Sequence, residues 1–295
     1  MAGLLVTDLD GTLLDRRGHV SPRNRAALAA ARAAGWHVVI ATGRTWAESH
    51  RAIDCVAEDA LFIGAAGASL HEAGSGRVLA TRTIDARTAV ELAHEIIDDG
   101  HRAHLLLDPS QAGHDYLFCG TAPLDAATEW WLTEHPVRSR DWHAVPEDAH
   151  EHLEGRVLRV GTIAVEDALA PLAARIAAAR GATLGIRHWS ALTSSEATGS
   201  ATHMLEIFAP GTDKWSMALE AARQLGIPQD AIVAMGDGLN DLDLLSNAGI
   251  AVAMGNADPR IAGVAHAHTR HHDEDGVAHA VEALLAGRLR RGWRA

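Results

Sequence analysis

Leu4-Leu5-Val6-Thr7-Asp8-Leu9-Asp10-Gly11-Thr12-Leu13-Leu14 sets two carboxylates two residues apart, where an apolar strand runs into a glycine turn. A strand ending at Asp8 holds that carboxylate rigidly, as a nucleophile requires. Gly11 lets the backbone fold back so that Asp8 and Asp10 face one spot. Moving a phosphoryl group through an aspartyl-phosphate needs this arrangement. At average residue usage the pattern D-x-D-G-T arises by chance about once in 100,000 positions. A strand that merely ends in an acidic turn is the alternative, and it weakens with each partner found downstream.

Outward from that stretch, the chain alternates. Residues 22–34 predict an alanine-rich helix, with Ser21 as N-cap, Pro22 at its first position and Gly35 past its end. Residues 36–41 are a wholly apolar strand of the kind buried on both faces of a parallel sheet. Residues 45–56 read as helix and 61–63 as strand. This alternation predicts an α/β fold, a doubly wound, mostly parallel Rossmann-like sheet.

From about Arg82 the texture changes. A helix at 88–98 and a strand at 103–107 precede an irregular stretch, 108–155, rich in Pro, His, Asp and Trp. A strand at 157–165, a helix at 169–179 and a strand at 183–188 follow. Alternation resumes with strands at 204–208, 232–235 and 250–254 and helices at 214–225 and 240–247. The expected organisation is a core domain, 1-82 and 190-295, interrupted by an inserted α+β domain, 83-189.

Composition narrows the function classes. The 295 residues are 47% hydrophobic, ample for a core, and no apolar run reaches the length of a membrane span. Lys+Arg total 26 against 38 Asp+Glu, a formal charge of −12, which argues against a nucleic-acid or anionic-membrane surface. The basic tail around Arg288, Arg290 and Arg291 is short and reads as a solvated end. Cys55 and Cys119 match neither a disulfide framework nor a metal spacing. His266, His268, His271 and His272 form the one dense histidine patch, without a ligand framework. With the acidic pair at position 8 there is no room for a signal peptide, and a cytoplasmic protein is expected.

Three further features fall at the C-terminal ends of predicted strands, where an open α/β sheet binds its ligand. Thr42-Gly43-Arg44 offers a hydroxyl and N–H groups at a helix start, suited to an anionic phosphate, although strand-Thr-Gly turns are common. Lys214 opens a helix and is the only lysine in an arginine-biased chain. Cations are disfavoured at helix N-termini, so a compact point charge kept there suits a phosphoryl site. Met235-Gly236-Asp237-Gly238-Leu239-Asn240-Asp241 places Asp237 in a tight loop, able to supply an oxygen to a hard divalent ion. Asn240 and Asp241 also fit a helix-cap role.

In this order D-x-D-G-T, Thr-Gly-Arg, the lone lysine and G-D-x-x-N-D resemble the four motifs of the haloacid-dehalogenase-like superfamily. The run 248–257 and Asp273-Glu274-Asp275-Gly276-Val277 resemble its Cof-type, type IIB branch, whose insert is a C2-type cap domain. The resemblance implies a phosphatase with Asp8 as nucleophile and Asp10 as general acid and base. It implies Mg²⁺ held by Asp8, Asp237 and the carbonyl of Asp10. Thr42, Gly43, Lys214 and Asn240 would bind the phosphoryl group, with Asp241 in support. A cap closing over the core would exclude water. Two departures bear on substrate preference: Trp215 follows the lysine where a glycine is usual, and Ala66 precedes Gly67 where an asparagine is usual.

The expected substrate is a small phosphomonoester, foremost a sugar phosphate. Arg44 and Trp46 are candidate rim residues, and Trp130, Trp131, Trp142 and Trp189 are candidate stacking surfaces in the insert. A phosphomutase needing a bisphosphate activator is one rival. A non-catalytic binding module is another, and it predicts eroded acids, which this chain does not have. Nothing in the sequence chooses an oligomeric state.

Overall fold

β1 (Leu4–Asp8) is buried along its whole length, with the rest of its sheet laid out on both sides. The computed structural model describes residues 3–135, 137–190 and 202–295. After β1 come α1 (Pro22–Ala33), β2 (His37–Ala41), α2 (Trp46–Ile53), β3 (Ala60–Gly64), β4 (Ser69–Glu72) and β5 (Val78–Thr81). The chain then enters a second unit made of α3 (Ala86–Asp98), β6 (Ala103–Leu107), α4 (Pro109–Ala112), β7 (Tyr116–Cys119) and α5 (Ala126–Glu134). This unit continues through β8 (Ser139–Trp142), α6 (Ala149–Leu153), β9 (Val157–Val165), α7 (Glu166–Arg180), β10 (Gly185–Ser190) and β11 (Thr202–Phe208). The return segment carries α8 (Lys214–Gln224), β12 (Ile232–Gly236), α9 (Leu242–Asn247), β13 (Ile250–Ala253), α10 (Pro259–Val264), β14 (Ala267–His268) and α11 (Gly276–Leu285).

The first unit's sheet has the order β14-β13-β12-β1-β2-β3-β4-β5, parallel from β14 to β3, with β4 antiparallel to β3. Alternate residues of its strands serve opposite faces. Leu5, Val38, Ile40 and Phe62 pack under α1 and α11, whereas Leu4, Val6, Val39 and Ile63 pack under α8, α9 and α10. The sheet is therefore doubly wound, as its continuous apolar strands predict. The strand order reverses at β1, between β2 and β12. The crevice beyond the C-terminal ends of β1 and β12 is thus the place for a ligand.

The second unit's sheet runs β10-β11-β9-β6-β7-β8, mostly antiparallel, with α3 and α7 contributing to one packed core. Here the sequence reading needs correction. The strand expected at 204–208 as the resumption of the parallel core pairs antiparallel with β9 and β10 instead. Its inward Leu205 and Ile207 are as apolar as any core strand's, so the pattern alone could not choose the sheet. The two units divide as Met1–Ala80 with Asp213–Ala295, and Thr81–Thr212, rather than at 83 and 189. Residues 191–201, assigned by sequence to the core domain, lie outside the described residues. The stretch 108–155, expected to be irregular, holds β7, β8 and three short helices. β8 is an edge strand with exposed residues, so it carries no apolar signature.

After β3 the chain turns through Ala65 and Ala66, both left-handed at φ 48° and 55°. The turn brings Gly67 so close to the start of α8 that a Cβ there would lie 2.1 Å from the Asp213 carbonyl. Asparagine and glycine tolerate a left-handed backbone, whereas alanine costs about 1 kcal/mol or more there. Ala66→Gly is expected to raise the free energy of unfolding by about 1 kcal/mol in a denaturant titration with unchanged slope. A lower midpoint would contradict the strain.

Candidate active site

Asp8 ends β1 and is 3% exposed. The next five residues, Leu9–Leu13, form one wide turn, closed by a 2.9 Å hydrogen bond from the Leu14 N–H to the Leu9 carbonyl. Gly11 is required there twice over. Its φ is 72°, and a Cβ on it would lie 2.4 Å from Asp237 Oδ2. The turn therefore seats the Asp8–Asp10 segment directly against the loop that follows β12.

Lys214 is the first residue of α8, whose N-cap Asp213 accepts from the Ser216 N–H at 2.7 Å. Its side chain is 1% exposed, and its Nζ donates to Asp8 Oδ1 at 2.5 Å and to Asp241 Oδ1 at 2.7 Å. The unfavourable placement of a cation at a helix N-terminus is thus offset by two carboxylates. Asp241 is fully buried, and its other oxygen accepts from the N–H groups of Asp237 and Gly238, at 3.1 Å each. It caps its own turn and also accepts from the lysine. Asn240 lies on the same turn, with its Oδ1 against Gly238.

Asp237 is held on both oxygens. Thr12 Oγ1 donates to Oδ1 at 3.1 Å, and Asn256 Nδ2 donates to Oδ2 at 3.1 Å. Oxygens of Asp8, Asp237 and Asp241 lie within 4.8 Å of one another, the one buried acidic group of this kind among the described residues. These are the carboxylates that could hold a metal. Burial, then the charge of Asp241, pushes the Asp8 carboxyl well up against the pull of Lys214. The same two causes, in that order, raise Asp237 to about 6. Burial alone would lower Lys214, but Asp241 and Asp8 outweigh it and hold the ammonium charged.

Thr42 is buried at the end of β2, and its Oγ1 accepts from the Arg44 N–H at 3.2 Å. A Cβ on Gly43 would meet nothing within 4 Å, so a phosphate cradle here does not depend on a missing side chain. The Arg44 guanidinium forks onto both carboxylate oxygens of Asp10, with Nε 2.9 Å from Oδ2. The candidate rim arginine therefore holds the second acid of the opening motif. Trp46, the other candidate rim residue, is half-buried. Its indole N–H donates to the Ala73 carbonyl at 2.8 Å, and it packs against the edge of the core. Trp215, in place of the usual glycine, packs beside the core under α8.

Sequence reading brought Asp8, Asp10, Lys214, Asp237 and Asp241 to one place. It missed Thr12 and Asn256 as site residues. Thr12 stands inside the opening motif, and Asn256 inside the run 248–257, but neither has a residue type that announces its chemistry.

A profile of the haloacid dehalogenase-like hydrolases matches residues 5–281. The phosphatase YwpJ of Bacillus subtilis is 28% identical over 96% of this chain and 99% of its own length. A 5-amino-6-(5-phospho-D-ribitylamino)uracil phosphatase of the same organism, YwtE, is 27% identical over 96% of this chain and 98% of its own. The solved structure of the subclass IIB sugar phosphatase BT4131 superposes with a TM-score of 0.71 at 22% identity, covering 96% of this chain and 98% of that one. The chain belongs to the haloacid dehalogenase-like hydrolases.

Proposed function

We propose that this protein hydrolyses a small phosphomonoester through an aspartyl-phosphate on Asp8, with Mg²⁺ as cofactor. The observation that carries this reading is the buried Asp8 carboxylate, 2.5 Å from the Lys214 ammonium at the reversal point of the sheet. An oxygen of Asp8 attacks phosphorus, and the bond from phosphorus to the leaving oxygen breaks as Asp10 gives that oxygen a proton. Water then attacks phosphorus, the bond to Asp8 breaks, and Asp10 takes up the proton of the water. Inorganic phosphate leaves. Lys214 fixes Asp8 and supplies positive charge beside the oxygens of the transferred group. The Arg44 fork keeps the Asp10 carboxylate aimed.

The donor set fits a hard divalent ion. Three carboxylates crowd together with one ammonium, an excess of negative charge that Lys214 alone does not offset. Asp8, Asp237 and the carbonyl of Asp10 would hold the ion. When bound, it lowers the repulsion between the nucleophile and an anionic phosphate.

A sugar phosphate is the substrate class we favour, supported by the sugar phosphatase among the fold neighbours. We assign substrate choice to the second unit, as a cap, and the reaction to the cytoplasm, where small phosphorylated metabolites are retained. No helix among the described residues is long and apolar enough to cross a membrane.

Asp8→Asn is expected to lower turnover by about a thousandfold or more while leaving the melting transition in place. Full activity in that variant overturns the nucleophile assignment. A phosphate-release screen over sugar phosphates, nucleotides and pyridoxal phosphate tests the substrate class. Release without a bisphosphate activator excludes a mutase.

The raised Asp237 carboxyl has a consequence for stability. A carboxyl held above its unfolded value stabilises the fold at low pH, and that contribution is lost as pH rises through about 6. Metal-free protein is therefore expected to melt at a lower temperature at pH 8 than at pH 5, with Mg²⁺ restoring more at pH 8. Calorimetry in EDTA and in MgCl₂ checks this. Higher metal-free stability at pH 8 contradicts it.

A further inference from the structure

Asn256 ties together two loops that are far apart in the chain. Its Nδ2 donates to the Gly11 carbonyl at 2.8 Å and to Asp237 Oδ2 at 3.1 Å, while its Oδ1 accepts from the His272 N–H at 3.0 Å. The partners fix which way the amide points. A backbone carbonyl and a carboxylate oxygen take up the NH₂ end, and a backbone N–H can only serve the oxygen end. Both neighbours of this amide are themselves anchored. The Asp258 N–H donates to the Asp237 carbonyl at 2.9 Å, and His272 Nδ1 sits 2.8 Å from the Leu14 carbonyl, at the end of the Leu9–Leu13 turn.

We propose that Asn256 is a positioning residue that sets the Mg²⁺ affinity of this site by holding Asp237 and the Asp8–Asp10 turn at a fixed separation. The inference rests on reading the acidic cluster as a Mg²⁺ site. With Thr12 on Oδ1 and Asn256 on Oδ2, each Asp237 oxygen receives one neutral donor. An uncharged amide orients the carboxylate without offsetting its charge, so the charge stays available to a cation. An ammonium in the same position would compete with the ion it was meant to help. Partners of this kind, one bond removed from a metal, change affinity by roughly 10–100-fold when lost.

The test is a calorimetric titration of the full chain with MgCl₂, wild type against Asn256→Ala. The dissociation constant of Mg²⁺ is expected to rise by about 10–100-fold in the variant, with phosphatase turnover recovering at saturating Mg²⁺. A merely structural role would lower metal-free stability and kcat and leave the Mg²⁺ affinity as in wild type, and that result overturns the inference. If Asn256→Ala does not fold, Asn256→Ser is titrated in its place, and an unchanged affinity again overturns it. A wild-type chain that binds no Mg²⁺ overturns the metal reading itself, together with this inference.

Discussion

A buried ammonium between two buried carboxylates organises this molecule's chemistry. Lys214 reaches Asp8 on the first strand and Asp241 beyond the twelfth, so one point charge joins the two halves of the split first unit. Losing one partner of a buried ion pair is costly, of the order of 3–5 kcal/mol, because the other charge is left uncompensated. Here two carboxylates would be left. The turn after Ala66 and the close approach of Gly67 to Asp213 are the means by which the backbone sets the helix bearing that charge in place.

The parallel sheet turns this local arrangement into a site. β1 and β12 are neighbours in register, Thr7 opposite Met235, so their C-terminal ends deliver Asp8 and Asp237 side by side. β2, on the other side of β1, delivers Thr42 and Arg44. Asp8, Thr42, Arg44 and Asp237 thus stand at or just past the ends of parallel strands, and the loops only complete the last few ångströms. The fork of Arg44 on Asp10 and the amide of Asn256 on Asp237 are side-chain corrections of that kind.

Legibility in the sequence followed how local each constraint was. The strand-turn at Asp8–Gly11 carries its own cause, since a positive φ and a close approach both demand glycine at position 11. Lys214 was legible because it is the only lysine in the chain and stands where a cation is unwelcome. β11 was not, because an apolar strand looks the same whichever sheet receives it. Asn256 and Trp46 differ in how loudly the sequence announces them. A plain asparagine hides three long-range hydrogen bonds, and a prominent tryptophan beside the motif spends its polar edge on a backbone carbonyl.

The solitary lysine also gives the protein an unusual chemical signature. Its side-chain amine is 1% exposed, so the folded chain presents no accessible lysine to an acylating reagent. An acyl group on Lys214 marks a molecule in which the Asp8–Lys214–Asp241 cluster has opened. Counting amine labels by mass is therefore a direct count of breached sites, with no background from other lysines to subtract.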